Sequence, residues 1–194
     1  MIKTKEDLKY YLQQDRLALH IKDDKLKPDK KDEVWKYEII LRKHEYYHNL
    51  NKKNIFQKML LKHYSKLHHK WSMIYTTSIP INVCGPGLSI AHFGGIYINH
   101  NSKIGKNLRI QTGVVIGGSY STPGKFANIG SDVYIGTGAK ILGGVTIANK
   151  VAIGANAVVT KDILEQATTH VGIPSHKNSD HSSEPYIDNR VFGK

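Results

Sequence analysis

The chain has 194 residues and a mass of 21.8 kDa, and its formal net charge is +12. This length supports one substantial core, or a compact domain with a smaller appendage. No apolar run reaches the ~18 residues that a membrane helix needs. The N-terminus carries charge in every turn, unlike a signal peptide, so we expect a cytoplasmic protein. Cys84 is the only cysteine, which excludes an internal disulfide and a cysteine zinc cluster and predicts a small buried side chain.

The positive charge is concentrated in the middle of the chain. Between Tyr46 and Ser131 there is no Asp or Glu, and the Lys and Arg residues of this stretch give it a charge of +10. Such a field attracts nucleic acid, an acidic polymer or a phosphate-bearing cofactor. A solvated lysine face on a helix is the alternative interpretation, and the pattern leaves both open.

Residues 1–75 predict a helical N-terminal region. Thr4 and Asp7 have the spacing of a capping box, which opens a first helix. A charged connector that contains Pro28 follows, and apolar residues at helical spacing predict a second helix over residues 32–48.

The third helical segment is amphipathic and carries a lysine stripe. Lysines recur every four residues on one side: Lys58, Lys62, Lys66 and Lys70. Another side carries Phe56, Leu60, Tyr64, Leu67 and Trp71. We interpret Phe56, Met59, Trp71 and Met73 as packing residues.

A six-residue repeat replaces the helical pattern after Trp71. Aliphatic residues recur every six positions in two series: Ile98, Ile104, Ile110 and Ile116, then Ile129, Ile135, Ile141, Ile147, Ile153 and Val159. This period fits short parallel strands stacked coil on coil, with the aliphatic ladders as the core. We therefore predict a β domain over residues 76–174 with roughly five coils, an ejected loop over 117–128, and a C-terminal tail over 175–194.

Several segments carry a resemblance to a known family: GPGLSIAHFGGIYIN, VVIGGSYS, IGTGAKILGGVTIANKVAIGANAVVTKDI and VGIPSHK. With the helical region before them, they resemble the hexapeptide-repeat acyltransferases, and within these the serine acetyltransferases and their relatives in polysaccharide biosynthesis. The resemblance covers about residues 79–177. It implies a mainly β fold, a left-handed parallel β-helix of hexapeptide repeats preceded by an α-helical N-terminal region. It also implies acetyl-CoA as co-substrate, no metal, no nucleic-acid partner, and a homotrimer.

The same resemblance implies that His92 is the catalytic base. Acyl transfer from a thioester to a hydroxyl needs a base, donors for the oxyanion and a slot for the coenzyme. His92 falls where serine acetyltransferases carry their catalytic histidine, and Gly94 and Gly95 would allow close approach or offer N–H donors. The alternative interpretation is a histidine of the structural core.

The positions implied for coenzyme binding follow the repeat. Thr137 and Ala155 stand where the family lets acetyl-CoA lie against small residues. Thr160 and Lys161 match the pair in the AVVTKD motif, and Lys177 is a candidate cation for the coenzyme phosphates. For Thr137 and Ala155 the alternative is a repeat position that needs a small residue.

Three positions depart from the serine acetyltransferase pattern. Ala91 replaces an acid that helps hold the ammonium group of serine, Lys125 and Phe126 replace the Arg-His pair of the ejected loop, and Thr77 lies near the position of the aspartate that orients the histidine. Loss of the counter-charge would change specificity by orders of magnitude.

We therefore predict an O-acetyltransferase that acts on a carbohydrate hydroxyl of a capsular or other surface polysaccharide or its precursor. An anionic glycan would suit the positive charge, and Lys125 and Phe126 would lie on the acceptor side. The alternatives are serine O-acetyltransferase and a non-enzymatic β-helix scaffold that binds an anionic polymer. The group that orients His92 is left open: a carbonyl, an amide or hydroxyl, or a carboxylate from elsewhere, including a neighbouring subunit. Glu45 and Asp132 are the nearest acids in sequence.

A zinc enzyme of the γ-carbonic-anhydrase kind is disfavoured by histidine spacing. Such a site needs three histidines that converge from adjacent coils. His92 and His100 are eight residues apart, which does not match the six-residue repeat. The sequence therefore predicts no metal site.

Overall fold

The computed structural model describes residues 1–22, 24–25, 27–118 and 123–193. Three helices come first: α1 (Lys5–Ala18), α2 (Glu33–Asn49) and α3 (Ile55–Ile74). The predicted capping box is present, because Thr4 Oγ1 accepts from the Asp7 N–H at 3.0 Å and the Asp7 carboxylate accepts from the Thr4 N–H at 2.9 Å. No helix in these ranges is both long enough and apolar enough to cross a membrane.

Short strands then wind into a prism with three faces. They are β1 (Thr77–Ser78), β2 (Ser89–Ile90), β3 (Ile96–Ile98), β4 (Lys103–Ile104), β5 (Arg109–Ile110), β6 (Val115–Gly117), β7 (Asn128–Ile129), β8 (Tyr134–Ile135), β9 (Lys140–Leu142), β10 (Thr146–Ile147), β11 (Ala152–Ile153), β12 (Val158–Val159), β13 (Thr169–Val171) and β14 (His176–Ser179). Sheet A has the order β1-β3-β6-β9-β12, sheet B β10-β7-β4, and sheet C β14-β13-β11-β8-β5-β2. All pairings are parallel except β13 with β14.

The predicted aliphatic ladders form the core of the prism. In sheet C, Ile90 pairs with Ile110, which pairs with Ile135, and Ile153 follows one coil further on. All ten ladder residues named from the sequence are at most 6% exposed. The six-residue period of the sequence therefore corresponds to one face of the prism, because each face of each coil places one aliphatic side chain in the core.

Carboxylates from the helical region cap the first coil of the prism. The upper edge of this coil has no coil above it, and its backbone N–H groups need acceptors. Three buried side chains supply them: Asp15 accepts from Gly87 and Leu88 at 2.8 and 2.9 Å, Glu38 from Ile90 at 3.1 Å, and Glu45 from Asn82 at 2.7 Å. The helices thus fix the start of the β-helix.

Arg42 holds two of these carboxylates in place. Its guanidinium is fully buried and donates to Asp15 at 2.7 and 3.2 Å and to Glu45 at 3.0 Å. Further N–H groups reach the carbonyls of Cys84 at 2.9 Å and Gly85 at 2.7 Å. Every donor of the guanidinium fork therefore has an acceptor. The Cys84 side chain is buried, as predicted, and burial raises the pKa of its thiol to about 12.

The outer surface of α3 differs from the prediction. Three of the four predicted packing residues are exposed in the single chain: Phe56 by 64%, Met59 by 63% and Met73 by 68%. The prediction is wrong for these three, whereas Trp71 packs against the core. The helix instead contacts α2 through ring contacts, among them Tyr64 stacked on Tyr47 at 5.6 Å. The apolar side identified from helical spacing does meet α2 at Tyr64 and the core at Trp71, but it also includes the exposed Phe56.

The C-terminal segment folds back onto α1, which the sequence did not predict. After β14 come two short 3-10 helices, Glu184–Tyr186 and Asn189–Phe192. Ile187 is buried, and the Asp188 carboxylate lies 2.9 Å from His20 Nδ1 at the end of α1. Tyr186 also stacks on Tyr134 of sheet C, with ring centroids 4.3 Å apart.

Candidate active site

His92 lies in a widened corner between sheets C and A. Ile90 and Ile98 are eight residues apart, whereas their partners in the next coil, Ile110 and Ile116, are six apart. The two extra residues enlarge this corner, and the His92 side chain is exposed. The interpretation of His92 as a core histidine is therefore wrong.

Phe93 anchors the widened corner. Its ring stacks on Tyr75 with centroids 4.1 Å apart and meets the ring of Tyr37 edge-on at 5.7 Å. The Tyr37 hydroxyl donates in turn to the Thr77 carbonyl at 3.1 Å. Since offset and edge-on ring pairs restrain both partners, the neighbouring His92 starts from a fixed backbone.

Gly94 and Gly95 complete the corner in conformations that favour glycine. Their φ angles are +112° and +65°, where an L side chain is strained. The Gly94 N–H donates to Thr77 Oγ1 at 3.4 Å, and the Gly95 N–H donates to Thr76 Oγ1 at 3.2 Å. Both hydrogen bonds are long, so an oxyanion would be a stronger acceptor for either group. The oxyanion role stays a prediction.

His92 lines a cavity of about 360 Å³ between sheet C and the helical region. Its wall is formed by Leu19, His20, Ile21, Lys31, Asp32, Glu33, Val34, Trp35, Ile90, Ala91, Phe93 and Arg109. The cavity thus combines two histidines, a lysine, a guanidinium and two carboxylates with apolar side chains. Asp32 and Glu33 come from the start of α2, outside the acid-free stretch of sequence.

The charged side chains that line the cavity differ in the partners that they already have within the chain. Asp32 lies 2.5 Å from Lys25 Nζ and accepts from the Asp29 N–H at 2.7 Å. Glu33 is exposed. Arg109 Nη1 donates to Ser89 Oγ at 2.8 Å, which is the only hydrogen bond that its guanidinium makes to the described residues.

Within the described part of this chain, neither acid named from the sequence makes a hydrogen bond or ion pair with His92. Glu45 is held by Arg42 and by the Asn82 N–H, and Asp132 accepts from Asn107 Nδ2 at 2.7 Å. Within the described ranges, the His92 ring makes no hydrogen bond. The orienting group therefore stays open.

The predicted coenzyme residues fall at three places. Thr137 and Ala155 are exposed and share the corner of His92, stacked in successive coils, with the Asn156 N–H donating to the Thr137 carbonyl at 2.8 Å. Thr160 and Lys161 are exposed at the next corner, after β12.

Lys177 lies on β14, beyond the last coil. Its ammonium is paired with Glu165 at 2.7 Å and with Asp180 at 2.6 Å, and these partners raise the pKa of Lys177. To bind a coenzyme phosphate, Lys177 would have to exchange these partners. Coenzyme binding at all five positions stays a prediction.

The ejected loop is described only at its ends, since residues 119–122 lie outside the described ranges. Lys125 packs against the backbone of the next coil, because a Cβ on Gly144 would come within 2.3 Å of Lys125 Cβ. Phe126 lies beside Gly118. Neither Lys125 nor Phe126 lines the cavity of His92, and their acceptor-side role stays a prediction.

Arg109, Asp32 and Glu33 were missed as candidates from the sequence. One signal for Arg109 was available: it precedes the ladder residue Ile110, so its side chain must point outward from sheet C. The sequence contains no comparable pattern that would predict the position of Asp32 and Glu33 beside sheet C. In the described part of the chain, no group of three His, Cys, Asp or Glu residues could hold a metal ion.

Comparisons with known proteins support the hexapeptide-repeat assignment. Residues 126–161 match the family model "Bacterial transferase hexapeptide (six repeats)". A serine acetyltransferase of Staphylococcus xylosus is 43% identical over 93 residues, which are 47% of this chain and 43% of that protein. The chain thus matches less than half the length of this relative.

Solved structures of serine acetyltransferases share the fold. The enzyme from Brucella abortus strain S19 has a TM-score of 0.70 at 24% identity, over 92% of this chain and 72% of that one. Its complex with coenzyme A gives 0.66 at 24%, over 91% and 68%. The Neisseria gonorrhoeae enzyme in complex with serine gives 0.67 at 23%, over 90% and 70%. The predicted resemblance and the left-handed β-helix are confirmed.

The prediction of a capsular or other polysaccharide acceptor is wrong. The similar proteins are serine acetyltransferases, in sequence and in structure, which favours the stated alternative. The prediction rested on Ala91 and on the missing acids around it. Folding places Asp32 and Glu33 in the wall of the same cavity. The absence of acids from the sequence around Ala91 therefore does not mean that the site lacks carboxylates.

Proposed function

We propose that this chain transfers an acetyl group from acetyl-CoA to the hydroxyl of serine, with His92 as general base. The observation that carries the proposal is the exposed His92, held in a widened corner, in a cavity that also presents a guanidinium and two carboxylates. The similarity to serine acetyltransferases supports acetyl-CoA and serine as the substrates.

In the proposed reaction, a ring nitrogen of His92 removes the proton of the serine hydroxyl. The hydroxyl oxygen attacks the thioester carbonyl, and the Gly94 or Gly95 N–H stabilises the oxyanion that forms. The carbon–sulfur bond then breaks, the acetyl ester remains on serine, and the coenzyme leaves as a thiol with the proton that His92 returns. No covalent enzyme intermediate is needed.

The corner below His92 supports the proposed position of the coenzyme. Thr137 and Ala155 continue the His92 corner along the prism with small exposed side chains. A coenzyme that lies along this corner would bring its thioester to His92 from the side of the later coils. Thr160, Lys161 and Lys177, further along the chain, would then contact the polar groups of the coenzyme. A cytoplasmic location stays part of the proposal.

We further propose a homotrimer of β-helices. The outer surface of sheet A supports it, because Tyr97 is 55% exposed and Leu142 is 38% exposed there. Val115 pairs with Tyr97 on one side and with Lys140 on the other, and Leu142 pairs with Gly117 on the same sheet. Burial of such a face between subunits is stabilising by about 25 cal/mol per Å². Residues 1–75, 76–174 and 175–194 stay the proposed divisions of the chain.

The test is steady-state transfer to L-serine, followed by release of the coenzyme thiol. His92→Ala is expected to lower kcat by about 10²- to 10⁴-fold, the usual contribution of a general base. His100→Ala is the matched control, because His100 is exposed after β3 and does not line the cavity. Wild-type turnover in His92→Ala would overturn the assignment of the base.

A further inference from the structure

Arg109 lies one coil from the strand that leads into His92. Ser89 pairs with Arg109 in the parallel register of β2 with β5, so their Cα atoms are about 4.8 Å apart. Since Ile110 points into the core, Arg109 points outward, and its side chain reaches the wall of the His92 cavity. Ser89 is only three residues before His92, at most about 10 Å along the chain.

Most N–H donors of the Arg109 guanidinium make no hydrogen bond to the described residues. A guanidinium carries five N–H groups, and that of Arg109 makes one hydrogen bond within the described residues, to Ser89 Oγ at 2.8 Å. That hydrogen bond fixes one side of the planar fork against sheet C. Arginine forks pair with carboxylates through two parallel hydrogen bonds, an arrangement that lysine cannot reproduce.

The wall at the start of α2 carries charges of both signs, because Lys31, Asp32 and Glu33 all line it. Asp32 is already paired with Lys25, whereas Glu33 is exposed and its carboxylate interacts with the Tyr75 hydroxyl, a neutral partner. A ligand in this cavity therefore meets the Arg109 cation on sheet C and the Glu33 carboxylate on α2, with His92 on the same wall as Arg109. A ligand that has both a carboxylate and an ammonium would match both sides.

We propose that Arg109 binds the carboxylate of the acceptor, and that Glu33 attracts its ammonium, so that the acceptor class is an α-amino acid with a side-chain hydroxyl. This inference rests on the proposed function and names the residues that select its substrate. It also accounts for Ala91 and for Lys125-Phe126: the charges that serine needs come from α2 and β5 instead. Arg109 is a specificity residue and takes no part in proton transfer.

The experiment compares three acceptors: L-serine, ethanolamine, which lacks the carboxylate, and 3-hydroxypropionate, which lacks the ammonium. Initial rates with acetyl-CoA give kcat and KM, and calorimetry gives the Kd of L-serine. The wild type should prefer serine to ethanolamine by at least about 100-fold in kcat/KM, since a site built for a charged group rejects a ligand without it.

Arg109→Gln should reduce that preference to below about 10-fold, mainly by raising the KM of serine, with kcat within about threefold. Arg109→Lys keeps the charge but not the fork, and should fall between the two. Glu33→Gln should weaken serine more than 3-hydroxypropionate. Lys103→Gln removes the same charge from an exposed position on sheet B and should leave the preference unchanged. Circular dichroism checks that each variant is folded.

The outcomes separate this inference from the proposed function. If folded Arg109→Gln keeps the wild-type preference and serine Kd while serine is acetylated, the inference is overturned and the function stands. If the wild type binds serine without acetylating it, the function fails, and loss of binding in Arg109→Gln still supports the assignment. If the wild type neither binds nor acetylates serine, both are overturned.

Discussion

Replacement of Arg42 by methionine tests whether the helical region holds the first coil of the β-helix. Methionine fills much of the space but donates to none of the five acceptors that Arg42 serves: two oxygens of Asp15, one of Glu45 and two backbone carbonyls. Removal of one partner from a buried ion pair typically costs about 3–5 kcal/mol, because the remaining charges stay buried without a counter-charge. For a chain of this size, that loss lowers Tm by roughly 6–20 °C.

The assay is urea unfolding of the wild type and Arg42→Met, followed by circular dichroism. Lys150→Met is the control. The Lys150–Glu184 pair is 2.8 Å long, between the 2.7 Å and 3.0 Å of the Arg42 pairs with Asp15 and Glu45, but its side chains are 44% and 37% exposed. Its removal should cost at most about 1 kcal/mol. A loss below about 1 kcal/mol in Arg42→Met would refute the reasoning, since the network would then not hold the two regions together.

Two further predictions concern stability at low pH and assembly. His68 is buried against Tyr37 and His44, and burial, followed by the charge of His44, lowers the pKa of His68 to about 4. The unfolded chain binds a proton on His68 near pH 6.5, whereas the folded chain does not, so the free energy of unfolding falls by about 2 kcal/mol between pH 7 and 5. His68→Gln should lose this pH-dependent part of the free energy of unfolding in urea. An unchanged pH dependence would contradict the assignment. Tyr97→Asp should convert a species of three times 21.8 kDa to the monomer in light scattering, whereas a monomeric wild type would contradict the trimer.

The β-helix could be predicted from the sequence because its geometry repeats in the chain. Each coil places one aliphatic residue inside on each face, so Ile98 and its successors mark the strands directly. The widened corner was also visible: Ile90 stands eight residues before Ile98, where the repeat requires six. His92 lies inside that excess.

The long-range contacts could not be predicted in the same way. The absence of Asp and Glu between residues 46 and 131 suggested a site without carboxylates. Asp15, Glu38 and Glu45 instead dock on the first coil, and Glu33 lines the His92 cavity, although these residues lie far from it in sequence. No periodic pattern encodes which helix faces which coil. The acceptor prediction was wrong for this reason.

Identification of the product made from acetyl-CoA and L-serine tests the central claim most directly. Mass spectrometry of the wild-type reaction, with His92→Ala beside it, would detect the acetyl ester on the serine hydroxyl. We predict that O-acetylserine forms with the wild type and falls at least about 100-fold with His92→Ala. Coenzyme release without O-acetylserine, or equal product from both proteins, would contradict the account.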